Sequence, residues 1–215
     1  MIVSRDYTTF RALRWGRQIP GAVLWFACAP NRQVIVIDEL KFQNADPSEV
    51  VAMIRAKDDD LRMNQPCRYT AAEPLLWKSD IPHGPTVAEG FALAGMPLIQ
   101  SSGERVQGWN QVASALKQTV LDTSRGVDQT ETLPLLVIAA TCRQLIRTLP
   151  LLREGDTVKE DIDQKKGVDA CLVEALRIGM MSRPSASSVN AKEPATGSMG
   201  HALAQAREAA LSSDY

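Results

Sequence analysis

The sequence predicts an α/β protein. It should hold one mixed sheet, three antiparallel strands followed by alternating helices and parallel strands, with helices on both faces. Three observations carry this. Residues 10–14 (FRALR), 21–28 (GAVLWFAC) and 33–40 (QVIVIDEL) are apolar-rich or alternating, and the turn-like separators RQIPG and APN are short. Links of that length join antiparallel neighbours. Downstream the rhythm changes, and short apolar runs alternate with helical periodicity, which places helices on the faces of a sheet. Finally, PLLVIA (134–139) is almost purely apolar, the pattern of a strand buried on both faces.

The elements follow in order. Asp46 is placed as a helix cap, with Pro47 in the first helical position and Glu49 three residues after the cap. Val50, Val51, Ile54 and Leu61 mark the apolar face of that helix, which should end near Met63. CRYTAA (67–72) reads as a strand, and PTVAEGFALA (85–94) as a helix closed by Gly95. PLIQ (97–100) is a short strand, and 108–121 a helix with Trp109, Val112, Leu116 and Val120 on one face. TCRQLIRTL (141–149) and VDACLVEALRIGMM (168–181) are helices. This order matches the ribonuclease H-like fold, in which an antiparallel edge joins a parallel half. Beyond Met181 the composition shifts to SRPSASSVNAKEPATGSMG, rich in Ser, Pro and Ala. Residues 1–181 therefore read as the folded domain, and 182–215 as a flexible linker with a short terminal helix, HALAQAREAALSS (201–213).

Composition narrows the function. Of 215 residues, 45% are hydrophobic and 23% charged, which excludes a wholly disordered chain. Lys plus Arg total 24 against 25 Asp plus Glu, so a polycationic nucleic-acid coat is excluded and a local basic face is not. No apolar run approaches the ~20 residues of a membrane span, and MIVSRDYTTF lacks a signal-peptide core. The expectation is a soluble protein that is not exported. Cys28, Cys67, Cys142 and Cys171 are widely spaced, without C-x-x-C or a His at zinc-ligand spacing, and read as buried free thiols. His83 and His201 are isolated, which removes a His-based triad, and neither G-x-x-x-x-G-K-[ST] nor G-x-S-x-G occurs. Any catalysis must come from carboxylates, Arg or Lys.

Acids stand where a metal site needs them. Glu73 ends the fourth strand, and Glu174 lies in the last helix with Asp169 about one turn before it. Carboxylates so placed can hold two divalent cations, which activate water and stabilise a leaving oxygen. Four collinear stretches strengthen the point: FRALRWGRQIPGAVLW (10–25), YTAAEPLLW…GPTVAEGFALAG (69–95), ERVQGWNQV (104–112) and TCRQLIRTLPLL…EDIDQ…ALRIGMM (141–181). Together they resemble the nuclease domain of the large terminase subunit of tailed bacteriophages, with its W-G turn, R-x-x-G-W segment, C-x-x-L-I-R-T-L-P and A-L-R elements. The resemblance implies a ribonuclease H-like endonuclease that uses Mg²⁺ or Mn²⁺ to cut double-stranded phage DNA during packaging in the cytoplasm of the bacterial host. It also implies a terminase ATPase domain, a small terminase subunit and a portal as partners. By that resemblance Glu73, Glu174 and residue 14 are catalytic positions, and Glu73, Glu174 and Asp169 metal ligands. Arg143 and Arg147, one turn apart on a helix, and Arg105 become phosphate contacts.

The departures are specific. The family's first-strand D-W-G is here Arg14-Trp15-Gly16, so a cation stands where an anionic ligand belongs. The second and third acids, Asp in the family, are Glu73 and Glu174. Arg14 should pair with both and hold their carboxyls ionised. That opens an alternative, a catalytically silent DNA-binding or packaging-assembly module with an Arg14–Glu ion-pair cluster in place of metals. Asp6, Asp38 and Glu39 are the candidate substitute ligands. Trp15, Trp25, Trp77 and Trp109 read as packing residues, Lys57-Asp58-Asp59-Asp60 as solvated surface, and Glu89 as a structural hydrogen-bonding residue.

Overall fold

A computed structural model describes residues 5–61, 65–79, 84–122, 131–152 and 170–184. Its framework is β1 (Thr8–Arg14), β2 (Gly21–Cys28) and β3 (Val34–Phe42), joined as the predicted antiparallel meander. Helix α1 (Pro47–Leu61) starts as the sequence predicts, with Glu49 Oε2 accepting from the Asp46 N–H at 2.8 Å. It carries the chain over to β4 (Thr70–Ala72), which lies parallel to β1 on the side away from β2. A second crossover through α2 (Val87–Leu93) adds β5 (Leu98–Gln100), parallel to β4. Glu89 has the structural role expected of it: Thr86 and Glu89 form a reciprocal capping box at the start of α2. Gly95, at φ 77°, follows the end of the helix.

Then come α3 (Arg105–Lys117), β6 (Thr119–Leu121), β7 (Thr132–Pro134), β8 (Leu136–Ile138), α4 (Arg143–Thr148) and α5 (Cys171–Ser182). The sheet order is β5-β4-β1-β2-β3-β8, with β8 parallel to β3. Two expectations need correction here. The helix predicted over 108–121 begins at Arg105 and stops at Lys117. Residues 119–121 instead pair antiparallel with β7 in a separate ribbon, because main-chain pairing overrides the helical spacing of Val120. PLLVIA is likewise two strands, not one. The chain leaves the ribbon at Pro134 and joins the main sheet at Leu136 as an edge strand, with Leu136 buried and Val137 and Ile138 half-buried. An apolar run reports that a strand is covered, not that it is central.

Strand alternation divides the core in two. Phe10, Ala12, Leu24 and Phe26 pack against Leu172, Leu176 and Ile178 of α5, Trp109 and Val112 of α3, and Leu145 of α4. Leu13, Val23 and Trp25 face the other way, onto Val50 and Ile54 of α1 and Phe91 of α2. Helices on both faces were expected, and so was packing of the tryptophans. Trp25 is fully buried, and its Nε1 donates to Asp58 Oδ1 at 2.7 Å. Asp58 also pairs with Arg11 at 2.7 Å, and Lys57 with Asp38 at 3.0 Å. Only Asp59 and Asp60 of the acidic run are exposed surface. Cys28, Cys142 and Cys171 are buried free thiols and Cys67 is half-buried. Among the described residues no helix is long and apolar enough to cross a membrane. The terminal helix expected over 201–213, and the linker beyond residue 184, lie outside the described residues.

Candidate active site: two carboxylates and three guanidiniums

Strands β1 and β4 run parallel with Leu13 beside Ala72, so Arg14, the last residue of β1, and Glu73, the first after β4, stand together at the carboxyl end of the sheet. Leu13 and Ala72 face α1 and α2. Alternation turns residues 14 and 73 towards the α5 face. There Arg14 Nη1 donates to Glu73 Oε1 at 2.9 Å, and also to the Trp15 carbonyl.

The first turn of α5 brings Glu174 to the same region, 2% exposed as a residue. Arg177, one turn later and equally buried, donates from Nε to Glu174 Oε2 at 2.9 Å. Arg105, at the start of α3, donates from Nη2 to Glu174 Oε1 at 2.7 Å. Gly108 of α3 makes this arrangement fit: a Cβ there would lie 2.6 Å from Arg177 Cγ and 3.0 Å from Cδ. The R-x-x-G-W and E-A-L-R segments thus interlock. Arg105 grips Glu174, and Gly108 seats the stem of the arginine that grips it from the other side.

The two ion-pair groups act on each other. Burial pushes the Glu73 carboxyl above its ordinary range; Arg14 opposes this, the Glu174 charge adds to it, and Arg177 and Arg105 oppose it more weakly. This corrects the expectation that Arg14 holds the Glu73 carboxyl down. Desolvation of the buried Glu73 carboxylate outweighs one partly exposed guanidinium. Residue 14, Glu73 and Glu174 nevertheless belong to one electrostatic cluster.

The remaining predicted residues lie elsewhere. Arg143 and Arg147 are exposed on α4. The backbone N–H groups of Gln144 and Leu145 at the start of that helix donate to Glu39, at 2.8 and 2.9 Å. Glu39 aligns through Leu24 and Ala12 with Ala71, three strands across from β4 or about 14 Å. Asp38 lies opposite Trp25 on the α1 face and pairs with Lys57. Asp6 precedes β1, roughly 20 Å along the strand from Arg14. None of the three substitute ligands reaches Glu73. Asp169 lies outside the described residues. Sequence reasoning assigned no role to Arg177 or Gly108. The i,i+3 spacing of Glu174 and Arg177 was a usable signal, as was a glycine inside a helical pattern.

The Mg²⁺ or Mn²⁺ that the resemblance implies does not fit the donors found among the described residues. A divalent pair needs several hard oxygen ligands and a net negative cradle. Among the described residues no group of three or more Asp, Glu, His or Cys comes together. Among the described residues two carboxylates face three guanidiniums, and both Glu174 oxygens and one of Glu73 already accept from arginine.

No family model and no curated protein matches the chain. Solved structures do resemble it. The P22 large terminase nuclease domain aligns over 84% of both chains at 11% identity and a TM-score of 0.63. The ADP complex of the large terminase from the thermophilic bacteriophage D6E aligns at 13% identity and 0.61, over 84% of this chain but 40% of that one. This chain thus spans about two fifths of the D6E protein. The large terminase nuclease of thermophilic phage G20c, solved with bound cobalt, aligns over 83% of both chains at 11% identity and 0.56. The meander, the parallel half and the helices on both faces therefore make up a ribonuclease H-like fold shared with these phage large-terminase structures.

Proposed function

We propose that this chain is the nuclease-like domain of a phage large terminase, that it handles double-stranded DNA during genome packaging, and that its catalytic centre is silent as it stands. The observation that carries the last point is the Arg14–Glu73 ion pair, 2.9 Å long, at the position where the family places its first metal-bridging Asp. A guanidinium ~4 Å from a dication opposes it by several kcal/mol even at an effective dielectric of about 20. The same guanidinium holds an oxygen that a metal would need. The ATPase domain, small subunit, portal and host cytoplasm belong to this reading as the surroundings in which the domain works. DNA is held by local basic groups, Arg143 and Arg147 first among them, since the chain as a whole carries a net charge of −1.

A second reading, a Mg²⁺- or Mn²⁺-dependent endonuclease, is favoured by one observation: Glu73 and Glu174 sit in one cluster at the family's site. It requires Arg14 to be displaced from Glu73. Incubation of the protein with supercoiled plasmid and Mn²⁺, beside a duplex-binding titration, separates the two. The silent reading expects salt-sensitive duplex binding and no nicking above background. Mn²⁺-dependent nicking that disappears in Glu73→Gln establishes the endonuclease instead, and no duplex binding at low salt refutes the DNA-handling role.

A further inference from the structure

The opposite end of β1 carries a second pair of arginines. Thr8, which starts β1, lies beside Cys28, which ends β2, and is about 20 Å along the strand from Arg14. Helix α5 finishes over this end. Gly179 lies so close to the Phe26 ring that no Cβ fits between them, and the Tyr69 hydroxyl donates to the Ser182 carbonyl at 2.6 Å. Arg183 follows, half-buried at the end of the helix. Arg32 comes to the same region from the β2–β3 turn: its charge and that of Arg183 both act on Cys28 and on each other. The turn is fastened on either side of Arg32. Asn31 Nδ2 donates to the Leu121 carbonyl at 2.8 Å, and Gln33 Nε2 to the Pro134 carbonyl at 2.9 Å. Arg32 itself holds φ at 75°, a conformation that favours glycine or asparagine, and its side chain is exposed.

Donors outnumber acceptors at this end of α5. Among the described residues neither the Arg32 nor the Arg183 guanidinium has a hydrogen bond or an ion pair, and the Ser182 hydroxyl is buried without a partner. The thiol on which both arginines act is no counter-charge, since burial pushes Cys28 up to about 11 and keeps it protonated at neutral pH. The carbonyl end of a helix supplies only about half a negative charge, against two guanidiniums. We infer that Arg32 and Arg183 form a phosphate-binding site at the carboxyl end of α5, separate from the Arg14–Glu73 cluster. Each guanidinium fork fills two acceptor oxygens. A carboxylate satisfies one such fork, whereas a phosphate offers oxygens to both. The site holds its ligand by charge and hydrogen bonds, and no bond is made or broken there. It does not rest on the DNA-handling role: its phosphate is either a free anion or one of a DNA backbone.

The test is isothermal titration of the full chain with millimolar inorganic phosphate, at an ionic strength held constant with sodium chloride. The unaltered protein should give a saturable heat. Arg32→Gly and Arg183→Gln should each weaken phosphate binding by about tenfold, the loss of one hydrogen bond to a charged group. Glycine adopts the φ of residue 32 freely, so Arg32→Gly removes the guanidinium without straining the turn. Arg68→Gln takes a charge from an exposed residue at the same end of the sheet and should leave the phosphate affinity unchanged. No saturable heat in the unaltered protein overturns the site, as does binding that survives both Arg32→Gly and Arg183→Gln. An equal loss in Arg68→Gln overturns it too, because the general field of that end would then be responsible. A polyglutamate peptide that binds where phosphate does not would make the arginines a surface for acidic protein instead. Duplex anisotropy on the same variants identifies the source of the phosphate. Duplex affinity that falls in Arg32→Gly and Arg183→Gln assigns the site to the DNA backbone. Duplex affinity that stays constant while phosphate affinity falls assigns it to the free anion, and failure of all duplex binding refutes the DNA-handling role without touching the site.

Discussion

Replacing Arg14 by Asp tests the silent reading at its centre. The pair it breaks is half-buried, with side chains 21% and 17% exposed and an N···O distance of 2.9 Å. Two unit charges at about 4 Å attract by about 4 kcal/mol at an effective dielectric of 20. Desolvation offsets part of that attraction. Removing one partner of a buried pair nevertheless costs about 3–5 kcal/mol, because the other charge is left uncompensated. Glu73 is less buried than such cases, so a loss of about 2–4 kcal/mol in metal-free buffer is expected. Among the described residues, the new carboxylate turns three cations and two anions into two cations and three anions, a change of two charge units towards the negative.

That change gives Mn²⁺ something to bind. A metal that binds only the folded protein adds about 2.7 kcal/mol of stability at one hundred times its dissociation constant. For a domain of this size each kcal/mol moves the thermal midpoint by about 2–4 °C. The variant should therefore melt lower than the parent without metal and recover roughly 5–10 °C as Mn²⁺ is raised, while the parent hardly responds. Differential scanning fluorimetry reads the shift, a plasmid assay reports any nicking that accompanies it, and adding Glu73→Gln to the variant should abolish the metal response. An Mn²⁺ response in the parent equal to that of the variant would refute the reasoning, for Arg14 would then not guard the carboxylates.

Three further outcomes are expected. Gly108→Ala puts a Cβ 2.6 Å from Arg177 Cγ and should cost about 1–3 kcal/mol by urea unfolding; an unchanged midpoint would mean that α3 and α5 do not pack through this glycine. Replacing Arg143 and Arg147 by Ala should make the plot of log duplex affinity against log salt shallower by about 0.9 for each phosphate the helix no longer neutralises; an unchanged slope removes α4 from the DNA-facing surface. Burial pushes the Cys28 thiol up to about 11 and Cys142 to about 12. The folded state thus keeps protons that the unfolded chain releases near pH 9, and stability is full below that pH and lost above it. At pH 10 the loss should be about 1.4 kcal/mol per thiol, and Cys28→Ala should flatten the alkaline limb of a stability–pH curve.

The parts of the fold legible in the sequence are those whose signals are local. The meander shows because β1, β2 and β3 alternate and their links are short. The start of α1 shows because Asp46, Pro47 and Glu49 form a local signal, Glu49 accepting from the Asp46 N–H three residues back; the Thr86–Glu89 capping box of α2 is equally local but was not read. β6 escapes for the opposite reason. Val120 continues the spacing of Trp109, Val112 and Leu116, and only pairing with Leu133 makes it a strand. The break at Leu135 is equally non-local, since the chain changes sheets there. At the site, positions 14, 73 and 174 were visible through the family resemblance, and register explains their meeting: β1 and β4 align at Leu13 and Ala72, so the next residues emerge together. The part played by Arg177 depends on Gly108 across a helix–helix interface, and the dominance of burial over Arg14 at Glu73 depends on tertiary packing around that carboxyl. Neither quantity exists in the sequence alone.

The exchange at residue 14 and the arginines of α3 and α5 have one physical sense. Glu174 is nearly inaccessible, and a buried carboxylate without partners carries a heavy desolvation penalty. Arg105 and Arg177 offset that penalty by donating to its two oxygens, and Gly108 is what lets the second of them lie close enough. Glu73 is partly shielded by the same pair but needs its own counter-charge, because the Glu174 charge works against it. In a metal-binding relative a dication can supply that charge. Here Arg14 supplies it, covalently attached to β1 and independent of metal concentration. On the proposed silent reading, an Asp at residue 14 without metal would leave, among the described residues, three carboxylates against two guanidiniums, so Arg14 would let the chain keep both glutamates without an ion.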